Sequence, residues 1–389
     1  MRRTAAGLVL FFAFCFPALG AAQGGPPVSA EQLRAAIGQL GTLEFQVRNA
    51  AASTIRRAQP DVAVPALLQA AKNHTDGYVR FRALVLLSGF NDPRTRDVMA
   101  QMLAEKNDRL RSVAYTWFEH NPDKTIVPRL LEAAEREESE FVRPALMRAL
   151  AAYGGEPTVR PVMTAFVMRG QAFFRSVVIE ALGDYRATYA LKPITEVAVI
   201  NGPLQDDAAL ALGKIGDKAS LPTLADLQRS APRESQPAIA AAICLLGVNC
   251  ASHHPYITRS LQFAIENVGF QELLRGSATA LAMLGASGRK DAVVELIEQG
   301  VPTRDPARAA IALALGTVAL RNPIVMLDVL EQGSLLTPGT ELLREAFDML
   351  EEDFEEERFF VMVRRAYWQA PEGSARRKAA EKLIKALEF

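Results

Sequence analysis

Residues 64–89 read VPALLQAAKNHTDGYVRFRALVLLSG, and they hold one complete helix–turn–helix unit. Val64-Pro65-Ala66-Leu67-Leu68 reads as the opening of a first helix, A, because proline is tolerated only within a helix's first turn, where its missing N–H is not needed. Asp76 stands just before a second helix, B, where a carboxylate accepts from orphan backbone N–H groups and meets the positive end of the dipole. In helix B, Val79, Ala83 and Leu87 lie four residues apart and so share one stripe. Gly89 marks its end.

Moving outward, the helix B pattern recurs along the whole chain. Its first apolar position is filled by Val47, Val79, Leu110, Val142, Phe174, Leu204, Ala238, Gly276, Ala307, Leu342 and Ala375, in steps of 30 to 38 residues. Four residues on stand Ala51, Ala83, Ala114, Leu146, Val178, Ala208, Ala242, Ala280, Ile311, Ala346 and Ala379, mostly small enough to let a neighbouring helix approach closely. Eight residues on stands Ile55, Leu87, Phe118, Leu150, Leu182, Leu212, Leu246, Leu284, Leu315, Leu350 or Leu383. Upstream prolines at 65, 128, 161, 193, 222 and 255 mark starts of helix A, and Asp108 and Asp305-Pro306 repeat the acidic turn. One such pair cannot bury both its apolar stripes, so the units must stack. The expectation is an all-α protein, an α-solenoid of about eleven helix pairs. Layers ~8–10 Å apart imply an open superhelix on the order of 100 Å long. Its loosest joints are expected between Ala238 and Gly276 and at GSLLTPG, residues 333–339.

Units such as residues 64–89, 127–154 and 204–217 (LQDDAALALGKIGD) resemble HEAT repeats, in particular the HEAT-like variety named from phycobilisome lyases. The resemblance runs from about Ser29 to Phe389 and weakens in the last two units. It implies an interaction scaffold, and it does not carry lyase chemistry with it. It also implies that the Arg following the anchor bonds an acidic turn residue, here Asp76 or Asp108.

Composition agrees with a helical array: 49% hydrophobic residues, 23% charged and 7% aromatic favour helices over β-sandwiches. Lys+Arg and Asp+Glu both number 44, a balance that argues against a nucleic-acid partner. The chain begins Met1-Arg2-Arg3-Thr4, continues in an apolar run from Ala5 to Leu19 and then reads Gly20-Ala21-Ala22. That is the pattern of a signal peptide over residues 1–22, with cleavage after Ala22 or after Gly20, and the expected location is secreted or periplasmic. The alternative is a retained anchor. Later stretches are too short or too polar to span a bilayer.

Signal removal leaves Cys244 and Cys250, in AAICLLGVNC at the end of one helix B and the loop after it, close enough to bridge; a free buried thiol at Cys244 is the alternative. Arg48, Arg80, Arg111, Arg143 and Arg175 follow the first five anchors and form a candidate basic ladder for an acidic partner, or a structural ladder. The ladder lapses at Gln205, Ile239 and Ser277 and returns at Arg308 and Arg376. His253-His254 beyond the cysteines match no common zinc spacing, so no metal and no cofactor are expected, and these histidines read as solvent-facing or capping. His74 and His120 read as turn residues without obvious partners. The acidic run EEDFEEE, residues 351–357, reads as a solvated face, with Arg376-Arg377-Lys378 and Lys382 completing a polar end-cap. No nucleophile elbow, phosphate loop, dinucleotide fingerprint or zinc-protease motif occurs. The functional expectation is a non-catalytic exported scaffold that holds a protein or peptide on the concave face lined by B helices. The alternatives are an accessory or catalytic factor in envelope or chromophore-attachment chemistry, which a deep polar pocket would favour, and an envelope structural component.

Overall fold

The computed structural model describes residues 28–350 and 353–389, so the expected signal segment lies outside the described residues. Among the described residues no strand occurs, and twenty-two α-helices follow one another as eleven pairs. The first six pairs are α1 (Ala30–Gln39) with α2 (Phe45–Arg57), α3 (Pro60–Asn73) with α4 (Gly77–Ser88), α5 (Thr95–Met102) with α6 (Asp108–His120), α7 (Val127–Arg136) with α8 (Arg143–Ala152), α9 (Val159–Met168) with α10 (Ala172–Asp184), and α11 (Leu191–Ala198) with α12 (Gln205–Ile215). The remaining five are α13 (Leu221–Ser230) with α14 (Gln236–Leu245), α15 (Cys250–Glu266) with α16 (Gln271–Ala286), α17 (Lys290–Gly300) with α18 (Ala307–Arg321), α19 (Pro323–Leu330) with α20 (Gly333–Asp348), and α21 (Phe354–Gln369) with α22 (Ala375–Leu387). Odd-numbered helices are the A helices and even-numbered ones the B helices. The chain is an α-solenoid, as the period requires. No single described helix is long and apolar enough to cross a membrane.

The stripe residues form the core. All eleven at the middle position, from Ala51 to Ala379, are buried, and so are ten of the eleven that follow; Leu350, past the end of α20, is half-buried. A buried Leu contributes roughly 1.5–3 kcal/mol, whereas an exposed ion pair contributes about 0–1 kcal/mol. Apolar stacking therefore holds the array, and the many surface ion pairs do not.

Successive B helices approach closely through small residues. A Cβ added at Gly183 would lie 2.8 Å from Ala211 Cα, and one added at Gly213 would lie 2.5 Å from Ala242 Cα, backbone distances that real side chains do not tolerate. These two units each leave a glycine-sized gap that the next B helix fills. Gly216 serves differently, capping α12 in the left-handed region at φ 84°.

Several local expectations need correction. Pro128 and Pro222 sit in the first turns of α7 and α13, but Pro65 and Pro255 lie inside α3 and α15, which begin about one turn earlier than the prolines indicate. The long step from Ala238 to Gly276 is taken up by extra helix in α15, 17 residues, rather than by a loose joint. GSLLTPG is likewise helical, as the first turns of α20, with Pro338 inside it. Asp76 caps α4 by accepting from Tyr78 N at 2.7 Å, but α6 is capped by Asn107 rather than Asp108.

The larger departure concerns shape. An open array with contacts only between neighbours does not form, because its two ends meet. Helix α21 packs on α4 and α6 as well as on α18, α19 and α22. Phe354 at its start joins the apolar core of the N-terminal half, and Asn49 of α2 donates to Glu388 at 3.3 Å. The B helices consequently face one another across a partly open interior, where Arg321 at the end of α18 binds Asp184 and Glu180 of α10.

Replacing Gly213 with Ala tests the close crossing: the added methyl should cost about 1–3 kcal/mol and lower the melting temperature, despite alanine's better helix propensity. An unchanged or raised melt by circular dichroism would contradict the crossing described.

A polar cluster in the closed interior

The C-terminal ends of several B helices converge on one cavity of about 860 Å³, whose lining includes His120 of α6, Arg148 of α8, Asp184 of α10, Lys214 of α12 and Arg321 of α18. Helix C-termini present unpaired carbonyls and the negative end of the dipole, which is why basic side chains gather there. Asp184 balances three of them, accepting from Arg148 and Lys214 at 2.8 Å each and pairing with Arg321. Burial pushes the Asp184 carboxyl up, but the charges of Arg321, Lys214 and Arg148 outweigh it and hold the group well below the usual range.

The start of α21 enters the same space. Asp353 caps this helix, accepting from Glu355 N and Glu356 N, and Glu355, Glu356 and Glu357 occupy its first turn, where the dipole favours carboxylates. The acidic run is therefore not a solvated face in its described part: Glu356 and Glu357 are buried. Glu357 accepts from Arg56 of α2 at 2.6 Å and from Arg364 at 3.0 Å. Within the C-terminal basic group, Arg376 binds Asp328 and Glu331. Burial raises the Glu357 pKa, and the two guanidinium groups more than reverse it, leaving a net depression. A second cavity, of about 670 Å³, lies where α2 and α4 meet α20, α21 and α22.

Glu355 faces His120, with Oε1 2.7 Å from Nε2, while Arg358 Nε donates to its Oε2 at 2.9 Å. The His120 ring stacks on Phe354 at 5.9 Å. Arg358 also donates to Leu320 O at 2.9 Å and so ties α21 to the end of α18. Beside His120, the buried Glu119 accepts from Arg148 at 2.9 Å and from the Tyr185 hydroxyl at 2.7 Å. Burial, and then the Glu119 charge, push the Tyr185 phenol pKa upward, so this hydroxyl remains a donor. His120 is the last residue of α6 with a carboxylate partner, not a lone turn residue. The partner stands 235 residues away, and no local pattern could have announced it.

The structure places the residues of the basic ladder at turns rather than on a free face. Arg48 donates to the carbonyls of Thr42 and Leu43, Arg80 to Ala71 O, Arg111 to Glu105 O and Lys106 O, and Arg175 to Val167 O. Arg80 and Arg175 reach back to carbonyls in the last turn of their own A helix, which the helix leaves open, whereas Arg48 and Arg111 hold carbonyls of the turn that follows it. Arg143 instead lies over the Phe174 ring at 4.8 Å. Among the described residues, the carboxylates that join the ladder are Glu105 for Arg80 and Glu137 for Arg111, not Asp76 or Asp108. Where the Arg lapses, Gln205 does the same work, donating to Ala198 O at 3.1 Å.

Cys244 and Cys250 stand as a disulfide, with Cα atoms 4.4 Å apart. His253 and His254 are buried in α15 rather than solvent-facing or capping; His254 Nδ1 lies 3.2 Å from Asp291 Oδ2.

Comparison with known proteins follows the repeat. Residues 33–117 match the family model described as HEAT repeats. No curated protein matches the chain. Among solved structures, YibA of Escherichia coli is 18% identical over 56% of this chain and 82% of its own, with a TM-score of 0.42. The complex of CpcE and CpcF of phycocyanin lyase from Nostoc sp. is 19% identical over 67% of this chain and 97% of its own, with a TM-score of 0.36. Importin beta is 12% identical over 92% of this chain and 58% of its own, with a TM-score of 0.37.

Two outcomes check the cluster. Burial raises the Glu355 carboxyl, but His120 and Arg358 prevail and hold it at about 2, against 4.5 for an ordinary Glu. A depressed folded-state pKa gives stability that is present above the unfolded value and lost as pH falls through the folded one. The stability difference between the native chain and Glu355→Gln should therefore shrink between about pH 4.5 and about pH 2; urea titrations showing a pH-independent difference would exclude this role. Separately, in protein made in an oxidising compartment Cys244 and Cys250 should not titrate as thiols, and finding both titratable would reject the bridge.

Proposed function

We propose that this chain, a HEAT-repeat protein, is an exported, non-catalytic scaffold that holds a protein or peptide partner. Stacked two-helix units suit that task because they offer a long, rigid, repetitive surface. The concave groove expected for the partner is largely taken up by α21 and by the ion pairs crossing the interior, and a cavity of about 860 Å³ is too small for a folded domain. The partner surface therefore lies elsewhere.

One observation carries the choice: the A-to-B turns present a row of exposed apolar residues along a single edge. Leu43, Phe45, Phe141, Met168, Phe173, Val199, Ile200, Val268 and Val301 all stand in or beside these turns, with Phe141 88% and Val268 77% exposed. The opposite edge, made of B-to-A turns, carries Val62, Ile324 and Met349 among the described exposed large apolar residues. Scattered exposed hydrophobes are ordinary, but their concentration along one rim is the mark of an interaction edge.

A second reading, an accessory or catalytic factor in envelope or chromophore-attachment chemistry, draws on the polar groups converging in the interior cavity. The two are separable. Combined Phe141→Ser, Phe173→Ser and Val268→Ser exchanges should leave the melting temperature within a few degrees, since exposed sites contribute little, and should abolish recovery of the partner on the mature protein from its native envelope. If recovery survives the rim exchanges but is lost with Glu119→Gln, the cavity reading replaces the rim.

A further inference from the structure

We propose that Glu119, His120 and Glu355 form a binding site for one divalent first-row transition cation, joining the third helix pair to the last. The inference stands whichever of the two readings above holds. It begins with how the two carboxylates divide their oxygens. Glu119 gives Oε1 to Arg148 at 2.9 Å and to the Tyr185 hydroxyl at 2.7 Å, while its Oε2 is buried and has no hydrogen-bond partner. Glu355 gives Oε2 to Arg358 at 2.9 Å and turns Oε1 toward His120 Nε2.

One ligand atom from each of the three residues lies within 4.8 Å of the other two. Glu119 is only 3% exposed, so its Oε2 is a buried acceptor that no protein donor satisfies. The neighbouring cations leave that oxygen open. Arg148 bonds Oε1, and Arg148, Lys214 and Arg321 are otherwise engaged by Asp184.

The surroundings are those of a metal site's supporting shell. Arg148, Tyr185 and Arg358 fix both carboxylates by bonding the oxygens that would not ligate, which is how outer groups orient ligands. Ligands about 2.0–2.2 Å from a tetrahedral cation stand roughly 3.4 Å apart, so His120 Nε2 and Glu355 Oε1, now 2.7 Å apart, must part, and the three ligand atoms, all within 4.8 Å of one another, must settle to that spacing. The proton between them passes to solvent as the metal–nitrogen bond forms. Two carboxylates and one imidazole suit Zn²⁺, Mn²⁺ or Fe²⁺ better than a soft cation. Three protein ligands leave coordination positions open, and the cluster opens onto the cavity of about 860 Å³.

The test uses the whole mature chain, stripped with a chelator and titrated with ZnCl₂ by calorimetry. One saturable site is expected, with a melting temperature that rises as the metal is added. Glu119→Gln, which keeps an acceptor for Arg148, and His120→Ala should each weaken zinc binding more than about 10-fold, while the exposed, distant Glu381→Gln should leave it unchanged. X-ray absorption of the zinc-loaded native protein supplies a readout that needs no variant: one imidazole and oxygen neighbours are expected. Absence of saturable binding, unaltered affinity in both cluster variants, or a zinc environment holding sulfur or two imidazoles would each overturn the site.

Discussion

Buried charge at the meeting point of the two ends determines what kind of solenoid this is. Glu357 has almost no exposed side-chain surface, and its partners Arg56 and Arg364 are nearly as deeply covered. Taking one member from such a group leaves the others uncompensated, at a cost of about 3–5 kcal/mol. The group is therefore stable only when α2 and α21 are both in place, and it sets the register in which the last helix pair returns to the first ones. His120 with Glu355, and Arg321 with Asp184, repeat the same logic at other positions around the interior.

Attraction between these charges does not by itself make closure favourable, because desolvation offsets most of it. The apolar contribution comes from Phe354, which leaves its own pair to join the core of the N-terminal half. Closure thus repeats the division seen along the array, in which apolar burial supplies most of the stabilisation and polar groups select one arrangement.

The repeat itself was legible in the sequence because everything that makes it is local. Val79, Ala83 and Leu87 declare a helix face within nine residues, and eleven such faces correspond to eleven pairs. Boundaries were less legible where a proline stood in the second turn, as at Pro65 and Pro255, since a proline reports where a helix tolerates it and not where the helix begins. The acidic run misled for a related reason: carboxylates in a helix's first turn look the same whether they meet water or Arg56, and Arg56 lies 301 residues from Glu357. The interior cluster was illegible altogether, since Glu119 and Glu355 meet only because the array curves enough to close. The ladder arginines were easy to find and easy to over-read; their targets, such as Ala71 O and Val167 O, are backbone atoms that no sequence pattern displays.

Open repeat arrays change length readily in evolution, because a copied or deleted unit alters only the contacts on either side of it. The return of α21 onto α4 and α6 removes that freedom. Inserting one more pair anywhere between them would rotate and displace the last helix by a full unit, carrying Phe354, Glu355 and Glu357 away from their seats. In this chain the number of units is a fixed structural parameter, as strand number is in a closed barrel, and descendants should vary by substitution within units while keeping the count at eleven.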